Sequence, residues 1–357
     1  MKSMKYLVIV IILIFIISST GCGIKKDTPE EANTEANAKD VIPDESSQEQ
    51  IQEPADKPSS ETSQASKSVV YMTKEISPES LVRIYETLDR EAAGKVAVKV
   101  HMGEPGGNNY LKPELVKDLV LAVGGTFVDC NTAYGGLRAS TAAHLQAAED
   151  HGFTEYASVD ILDSEGAVSL PIAGGKHLTE DLVGSHYENY DFIIVLSHFK
   201  GHAMGGFGGA IKNMSIGFAS PEGKNMIHNA GTGNTNKWLG GGYSQDEFLE
   251  SMAEAAKAIV DDAGENILYI SIMNNLSVDC DCDSSPAAPV MEDIGILASL
   301  DPVALDRACV DQVYASDETT SASLRRRIES KNGTHTLDYA EELGIGSQAY
   351  ELVMIDE

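Results

Sequence analysis

The chain has 357 residues and a formal net charge of −29 at pH 7, because 55 acidic residues face only 26 lysines and arginines. Nothing in it resembles a basic stripe, and this composition argues against nucleic acid as a partner. The part from Val69 to Glu357 has the length of one large domain or two small ones.

The first residues have the layout of a signal peptide. Lys2 and Lys5 precede an apolar run over 6–17, and small residues follow before Cys22. A membrane-spanning helix needs about 20 apolar residues, so this run is too short to be one. The sequence before Cys22 resembles a bacterial lipobox, which predicts a lipoprotein signal over 1–21, a lipid on Cys22 and a position on the extracytoplasmic face of the cell membrane. The alternative is a plain signal peptide with an incidental cysteine.

Residues 22–68 have the composition of a disordered tether. Between 23 and 68, eleven acidic residues outnumber five lysines, no aromatic residue occurs and four prolines interrupt the chain. Such a segment buries too little apolar surface to offset the entropy cost of ordering it. We predict that it holds a folded domain, 69–357, away from the membrane.

From Lys95 onward, strands rich in valine and isoleucine alternate with helices. The predicted strands are 95–101, 126–130, 158–162, 191–197, 266–273 and 293–299, and the predicted helices are 112–125, 140–152, 244–264 and 301–315. The longest helix has Ser244 as its N-cap and Glu247 three residues later, which is a capping box. The alternation predicts an α/β fold with a mainly parallel sheet and helices on both faces, in Rossmann-like layers.

Polar residues follow several of these strands. His101 ends the first predicted strand, Asp129 lies at the end of the second and His198 follows the fourth. In parallel α/β sheets, ligands bind beyond the carboxyl ends of the strands. We therefore predict that these groups meet at one edge of the sheet, with His101 and Asp129 as acid–base groups. Their alternative role is to cap loops through hydrogen bonds.

The segment 197–217 combines histidines, lysines and glycines directly after a buried strand. His198 and His202 are four residues apart, a spacing that suits metal binding or proton exchange on a helix face. Lys212 follows a Gly–Gly pair where a helix is expected to begin, so its ammonium could hold an anion there. The predicted cofactor-binding residues are Gly205, Gly206, Gly208, Gly209 and Asn213. The alternatives are capping or solvated histidines and a solvated lysine.

The segment 279–283 reads DCDCD and places two thiols among three carboxylates. Sulfur ligands suit a divalent transition metal such as zinc, iron or nickel, with a histidine completing the set. The predicted ligands are Cys280, Cys282 and Asp281. The alternative is a disulfide from this segment to Cys130 or Cys309, which an oxidising compartment permits. Cys280 and Cys282 are expected to lie too close together to pair with each other.

Six blocks of the sequence resemble successive blocks of the DUF362 family. They are KVAVKVHMGEPGGNNYLKPELVKDLV, DCNTAYGGLRAS, IIVLSHFKGHAMGGFGGAIKNMSIGFAS, DCDCD, DIGILASLDPVALDRA and HTLDYAEELGIGS. Many members of that family carry a ferredoxin-like insert with two cysteine clusters for iron–sulfur centres. The corresponding stretch here, 227–244, contains no cysteine, so no [4Fe–4S] cluster is expected.

A shorter segment, 202–212, is similar to lactate racemase-type proteins. It has a histidine, then Gly-Gly-Phe and Gly-Gly, and a lysine ten residues after the histidine. The resemblance implies that His202 is an acid–base residue and that Lys212 carries a nickel-pincer cofactor as a covalent adduct. The signal has no twin-arginine pair, so the chain is expected to cross the membrane unfolded and without a cofactor made in the cytoplasm. We therefore expect a related site architecture without the same cofactor.

Together these features predict an exported, lipid-anchored, metal-assisted enzyme that acts on a small anionic or carbonyl substrate. In this interpretation His202 is the acid–base group, and Lys212 anchors the anion or carbonyl. The alternative is a non-catalytic extracytoplasmic lipoprotein that captures a metal or a small ligand. The two differ because an enzyme needs His202 for turnover, whereas binding survives its loss.

The substitution Cys22→Ser tests the lipid anchor. It removes the thiol that would take the lipid, so the protein should move from the membrane fraction to the soluble or secreted fraction, or remain an unprocessed precursor. Cell fractionation and immunoblotting beside the wild-type chain measure this. Normal processing together with full membrane retention would contradict the assignment of Cys22.

Overall fold

The computed structural model describes residues 67–232 and 237–356. The predicted signal peptide, the lipidation site Cys22 and the tether as far as residue 66 lie outside the described residues and remain predictions. All described residues belong to one unit, Ser63–Glu357. None of the helices in the described ranges is both long and apolar enough to cross a membrane.

Strands and α-helices alternate along much of the described chain. The strands are β1 Ser68–Thr73, β2 Val96–Lys99, β3 Thr126–Asp129, β4 Val159–Ile161, β5 Ala167–Pro171, β6 Glu180–Gly184, β7 Phe192–His198, β8 Lys200–His202, β9 Gly206–Gly208, β10 Ile267–Met273, β11 Gly295–Ser299 and β12 Tyr350–Met354. The α-helices are α1 Pro78–Thr87, α2 Pro113–Ala122, α3 Thr141–Asp150, α4 Ala210–Phe218, α5 Pro221–His228, α6 Gln245–Ala263, α7 Pro302–Ala315, α8 Glu318–Ser330 and α9 His335–Glu342.

Eight strands form the main sheet in the order β12-β1-β11-β10-β7-β2-β3-β4. The run from β10 through β7, β2 and β3 to β4 is parallel, as is the pair β12 and β1, while β11 is antiparallel to both of its neighbours. Two short antiparallel pairs, β5 with β6 and β8 with β9, lie outside this sheet. The predicted α/β fold with a mainly parallel sheet is confirmed.

Helices bury both faces of the sheet. Alternate residues of β7 enter opposite cores, because Ile193 and Val195 pack in one and Ile194 and Leu196 in the other. Helices α4, α6 and α7 close the first core, and α1 and α2 close the second. A strand covered on both faces is apolar throughout, and all seven residues of β10 are buried.

The sheet has a topological switch point between β2 and β7. From β2 the chain continues outward through β3 and β4, whereas from β7 the next strand of this sheet, β10, lies on the other side. The two strands are in register from Val96 beside Phe192 to Lys99 beside Val195. Open α/β sheets bind ligands in the crevice beyond the carboxyl ends of such a pair.

The predicted starts of α6 and α7 are confirmed, whereas the short strands β8 and β9 were not predicted. Ser244 accepts a hydrogen bond from the Glu247 N–H, and the Glu247 side chain accepts one from the Ser244 N–H. Asp301 caps α7, with Pro302 in the first turn. The segment 200–208, expected to be a glycine-rich loop, is the β8–β9 hairpin. Its strands are three residues long, too short to leave a periodic pattern in the sequence.

Helix α4 has no capping side chain of its own at Gly209. Asp306 of α7 instead accepts hydrogen bonds from the backbone N–H groups of Ala210, at 2.7 Å, and Ile211, at 3.0 Å. A carboxylate is favourable there because it meets free N–H groups and the positive end of the helix dipole. A Cβ on Gly209 would lie 2.2 Å from Asp306 Oδ1, so only glycine leaves room for this carboxylate. The position of α4, which carries Lys212, therefore depends on Gly209.

Gly209→Ala and Gly208→Ala form a matched pair of variants. An alanine at 209 must displace the Asp306 carboxylate and break its hydrogen bonds to α4, so we expect the free energy of unfolding to fall by roughly 3 kcal/mol. A Cβ at Gly208 would lie 3.4 Å from Lys212 Cδ, which is an ordinary contact. That variant should stay within about 0.5 kcal/mol of the wild type. Urea unfolding followed by circular dichroism measures both, and equal stabilities would contradict the role of Gly209.

Candidate functional site

Asn213 of α4 bridges the ends of β2 and β7 at the switch point. Its Nδ2 donates to the backbone oxygens of Lys99, at 3.2 Å, and Leu196, at 3.1 Å, and to Ser197 Oγ at 3.2 Å. Its Oδ1 accepts from Lys99 Nζ at 3.0 Å. The amide therefore ties both strands to α4. The cofactor-binding role predicted for Asn213 stays a prediction, and these contacts already occupy both ends of its amide.

A cavity of about 230 Å³ opens beside this amide. Five of the site residues predicted from the sequence line it together, namely His101, Asp129, His202, Lys212 and Cys282. A smaller cavity of about 60 Å³ adjoins it, lined by His198, Lys200 and both cysteines of the DCDCD segment. Lys212 and Cys282 line both cavities. The structure therefore brings the predicted residues together, while their individual roles remain predictions.

The larger cavity has an excess of positive charge. Its lining contains the cations Lys99, Arg138, Lys212 and Lys224, against the single carboxylate of Asp129. This arrangement contrasts with the net charge of −29 of the whole chain. Such a cavity attracts anions, because low-dielectric walls focus the field of the charges that line them.

One wall of the cavity is aromatic. Tyr134 and Trp238 meet edge to face, with ring centroids 5.7 Å apart. Trp238 also lies 4.3 Å from the ring of His228, which packs against Phe248. A ligand in the cavity would therefore contact apolar ring surface as well as cations.

Lys212 is the cavity's unpaired amine. Lys212 is half-buried in the first turn of α4, and its Nζ makes no hydrogen bond and no ion pair among the described residues. Burial, together with the charges of Lys99 and Lys224, lowers the pKa of Lys212 to about 8. An amine of this kind is half uncharged near pH 8, whereas a lysine with the ordinary pKa of about 10.4 is almost wholly charged there.

His202 lies at the end of β8 and faces the same cavity. Its Nδ1 accepts a hydrogen bond from the Gly205 N–H at 2.8 Å, so the neutral ring carries its proton on Nε2. Burial, followed by the charge of Lys212, holds the pKa of His202 well below 6.5. The ring is therefore neutral at pH 7, and its Nε2–H is a hydrogen-bond donor of fixed orientation.

His198 is held on both sides of its ring. Nδ1 lies 2.8 Å from Asp281 Oδ2, and Nε2 lies 2.8 Å from the backbone oxygen of Asn274. Both neighbours are acceptors, so the ring satisfies them only when both nitrogens carry protons. Lys200 Nζ lies 2.7 Å from Asp281 Oδ1. Although burial acts to raise it, His198 and Lys200 lower the pKa of Asp281, which is therefore ionised between these two residues.

Asp129 lies at the centre of a buried charge network. Its carboxylate is 3.0 Å from Lys99 Nζ, 3.4 Å from Arg138 Nη1 and 3.5 Å from His144 Nε2. Burial acts to raise the pKa of Asp129, but Lys99 and His144 hold it well below 3.8. A carboxylate that stays ionised is a poor proton acceptor at neutral pH. The geometry favours a role for Asp129 in fixing Lys99 and Arg138.

His101 lies between two donors. The Gly103 N–H approaches Nδ1 at 3.1 Å, and Arg138 Nη2 approaches Nε2 at 3.0 Å. A neutral imidazole accepts at only one nitrogen, so only one of these contacts is a hydrogen bond at a time. Burial, reinforced by Arg138, lowers the pKa of His101 well below 6.5. The neutral ring is therefore the form present at pH 7.

The glycines of the segment 205–209 differ in their surroundings. Gly208 and Gly209 line the smaller cavity. Gly206 has a φ of +81°, and a Cβ there would lie 2.9 Å from the Cα of Gly333. Packing against the loop before α9 therefore requires glycine at 206. A cofactor-binding role for these glycines stays a prediction.

Cys280 and Cys282 are joined to each other by a disulfide. The expectation that they lie too close to pair is wrong. The segment turns, with the Asp283 N–H bonded to the Cys280 carbonyl at 3.0 Å. This turn sets the two Cα atoms 5.3 Å apart, within the usual range for a disulfide. Cys130 and Cys309, the other predicted partners, are free and buried.

His202, Cys280 and Cys282 are a group that could hold a metal ion, since their ligand atoms lie within 4.8 Å of one another. Asp281, also predicted as a ligand, is not part of this group. Two features do not fit a bound ion. The sulfurs are joined in a disulfide, whereas a metal needs thiolates. The Nδ1 of His202 already accepts from a backbone N–H, which leaves a proton on Nε2. In this state the donors do not fit a metal.

Sequence reasoning missed most of the cavity's cations and its aromatic wall. Lys99 could have been identified from the sequence, because a lysine inside the apolar run VAVKV of a strand covered on both faces must find a buried partner. Arg138 and Trp238 lie outside the helices and strands, where no periodic pattern marks them. Lys224 lies in α5, a helix that the sequence analysis did not predict.

Comparison with known proteins gave distant structural similarities. No curated protein matched the sequence. The lactate racemase apoprotein from Thermoanaerobacterium thermosaccharolyticum is 15% identical with a TM-score of 0.37, over 57% of this chain and 50% of that one. A structural-genomics crystal structure of a Thermotoga maritima protein is 11% identical with a TM-score of 0.41, over 68% of this chain and 60% of that one. This chain thus spans about half of the first protein and 60% of the second, and similarity at this level carries no argument about function.

The match to a protein family is more extensive. The family model described as "Domain of unknown function (DUF362)" matches residues 96–311. This range is more than half of the chain and contains the cavity residues from Lys99 to Cys282. The resemblance noted in the sequence blocks is confirmed, and the chain belongs to the DUF362 family.

Proposed function

We propose that this protein is an enzyme that acts on a small carbonyl compound with an anionic group, in the cavity beside β2 and β7. The observation that carries the proposal is the unpaired Lys212 amine in a cavity with three further cations. A lysine that is desolvated beside other cations is activated as a nucleophile, because its uncharged form is favoured.

An anionic group on the substrate would complement the charge of the cavity. Lys99 and Arg138 are matched by buried carboxylates. Lys224 makes no ion pair among the described residues, and its Nζ donates to the Ala219 carbonyl. Lys224 is therefore the cation left for a carboxylate or phosphate, while the Lys212 amine faces the carbonyl.

The first chemical step would be the addition of Lys212 Nζ to the substrate carbonyl carbon. A C–N bond forms, the C=O π bond breaks, and the oxygen gains a proton while the amine loses one. Loss of water from this carbinolamine leaves an imine, which takes a proton and draws electrons from the adjacent carbon. The His202 Nε2–H would donate a hydrogen bond to the carbonyl oxygen during addition, a task that suits a neutral imidazole.

No step of this proposal passes through a metal, because the donors do not fit one while the disulfide is present. Export and lipid anchoring are parts of the proposal that rest on the N-terminal sequence alone. With them, the reaction would take place on the extracytoplasmic face of the cell membrane.

A protein that binds an anion in the same cavity without reacting is the second candidate. The observation that favours it is that Asp129, His198 and Asn213 are all engaged in internal contacts. Few groups are then left for proton transfer. The two candidates differ because an enzyme of the proposed kind forms a covalent adduct with a carbonyl compound, whereas a binding protein holds it reversibly.

Reductive trapping tests the enzyme proposal. The mature chain is incubated with glyoxylate and cyanoborohydride at pH 8, and labelled lysines are mapped by peptide mass spectrometry. We expect labelling of Lys212 at least about ten-fold faster than labelling of the exposed Lys74. The reason is that about half of an amine of pKa 8 is uncharged at that pH, whereas well under about 1% of an ordinary surface lysine is uncharged.

The labelling rate of Lys212 should follow the pKa of about 8. Only the uncharged amine reacts, so the rate rises as the pH is raised through 8 and levels off above it. A surface lysine of ordinary pKa continues to gain reactivity up to about pH 10. Trapping from pH 6 to pH 10 measures both profiles.

Lys212→Met and Lys74→Met are the matched variants. The first should lose the fast label and retain the wild-type circular dichroism spectrum, and the second should keep the fast label. Labelling of Lys212 no faster than Lys74 in the wild type would refute the enzyme proposal. Saturable glyoxylate binding by calorimetry, without an adduct, would then favour the binding protein.

A further inference from the structure

We infer that Cys280 and Cys282 form a reversible dithiol–disulfide couple that takes an electron pair from an external dithiol. This activity goes beyond the proposed function and does not rest on it. Their disulfide is the one disulfide among the described residues, and it borders the cavity that holds Lys212.

The disulfide closes too short a loop to serve mainly as a staple. A cross-link stabilises a fold by restricting the unfolded chain, and the effect grows with the length of the closed loop. Here only one residue, Asp281, lies between the two cysteines. A purely stabilising role therefore explains this bond poorly.

Other contacts hold the turn that carries the cysteines. The Asp281 carboxylate lies 2.8 Å from His198 Nδ1 and 2.7 Å from Lys200 Nζ. On the outer side, Arg327 Nη1 lies 2.9 Å from Asp279 Oδ1. These ion pairs do not depend on the sulfur–sulfur bond. The turn can therefore stay in place when the disulfide opens, and the fold is not lost.

Cys280 and Cys282 are accessible to solvent, whereas the other described cysteines are not. Cys280 and Cys282 are half-buried and line an outer cavity of about 400 Å³ beside the exposed Asp283. Cys130 and Cys309 are fully buried. Burial raises the pKa of both buried thiols, which keeps them protonated and unreactive. Among these four cysteines, thiol exchange is therefore confined to Cys280 and Cys282.

The charges around the pair favour a thiolate. Lys212 lines the smaller cavity together with both cysteines, and among the described residues no carboxylate forms an ion pair with it. The nearest carboxylates, Asp279 and Asp281, are matched by the ion pairs already described, and Asp283 is exposed to solvent. Positive surroundings stabilise the thiolate, which is the form that leaves when a disulfide opens and attacks when it closes.

The exchange balances without any further reactant. A thiolate of the external dithiol bonds to one sulfur of the pair, the Cys280–Cys282 bond breaks, and the other sulfur leaves as a thiolate. The second thiol of the reductant then attacks the mixed disulfide, closes its own disulfide and releases the second cysteine. The dithiol is oxidised, the pair is reduced, and the two protons of the dithiol pass to the two cysteines.

Titration of the folded mature chain with dithiothreitol tests the inference. After each addition, free thiols are blocked with N-ethylmaleimide, and the peptides containing each cysteine are quantified by mass spectrometry. We expect Cys280 and Cys282 to become labelled together while Cys130 and Cys309 stay unlabelled, with an unchanged circular dichroism spectrum. Removal of the reductant in the presence of an oxidised dithiol should restore the unlabelled pair.

Two results would overturn the inference. One is a pair that resists the reductant until a denaturant unfolds the chain. The other is a pair already labelled before any reductant is added. The double variant Cys280→Ser/Cys282→Ser should melt within about 2 °C of the wild type, because the short cross-link contributes little. A much larger fall would assign the disulfide to stability. The trapping of glyoxylate at Lys212 is a separate measurement on the same wild-type chain, so its outcome does not decide this one.

Discussion

A single amide holds the candidate site together. Asn213 donates to the ends of β2 and β7 and accepts from Lys99, so three elements converge on one side chain. Without it, the carbonyls of Lys99 and Leu196 would each lose a donor, and the Lys99 amine would lose a partner in a buried place. The orientation of α4, and with it the direction of Lys212, follows from this bridge and from the Asp306 carboxylate at the start of the helix.

The charge of the cavity indicates the kind of ligand it binds better than the net charge of the whole chain does. A net charge of −29 suggests repulsion of anions, yet the site at the sheet edge collects four cations and one carboxylate. The paired cations, Lys99 and Arg138, shape the wall, while the unpaired Lys212 is available to a ligand. Burying an amine without a counter-ion is costly unless the amine loses its proton, and the fold accepts that cost at Lys212. Buried ionisable groups with shifted pKa values, such as Lys212, are common at functional sites.

Local patterns predicted the order of the main elements and the edge where the site lies. Helix caps and apolar runs depend on neighbouring residues, so the cap Ser244 and the strands could be recognised from the sequence. His202 and Lys212 could be assigned to the site because they follow β7 closely in the sequence. Pairing across the chain could not be predicted. His198 meets Asp281, 83 residues later, because β7 and β10 became neighbours, and no local pattern encodes that choice. The turn that lets Cys280 and Cys282 pair with each other was not predicted, because it is held by contacts with residues far away in the sequence.

The pairing of β1 with β12 has a consequence for the timing of folding. Ser68–Thr73 lies beside Tyr350–Met354, so the first and last strands of the sheet are neighbours although almost the whole described chain separates them. That edge cannot close until β12 has been synthesised, and contacts of such long sequence separation form slowly. Until then the edge of β1 stays open, and the chain remains incompletely folded during synthesis. The export that we propose for this chain threads it through a translocation channel before it folds, and such a delay would favour that passage.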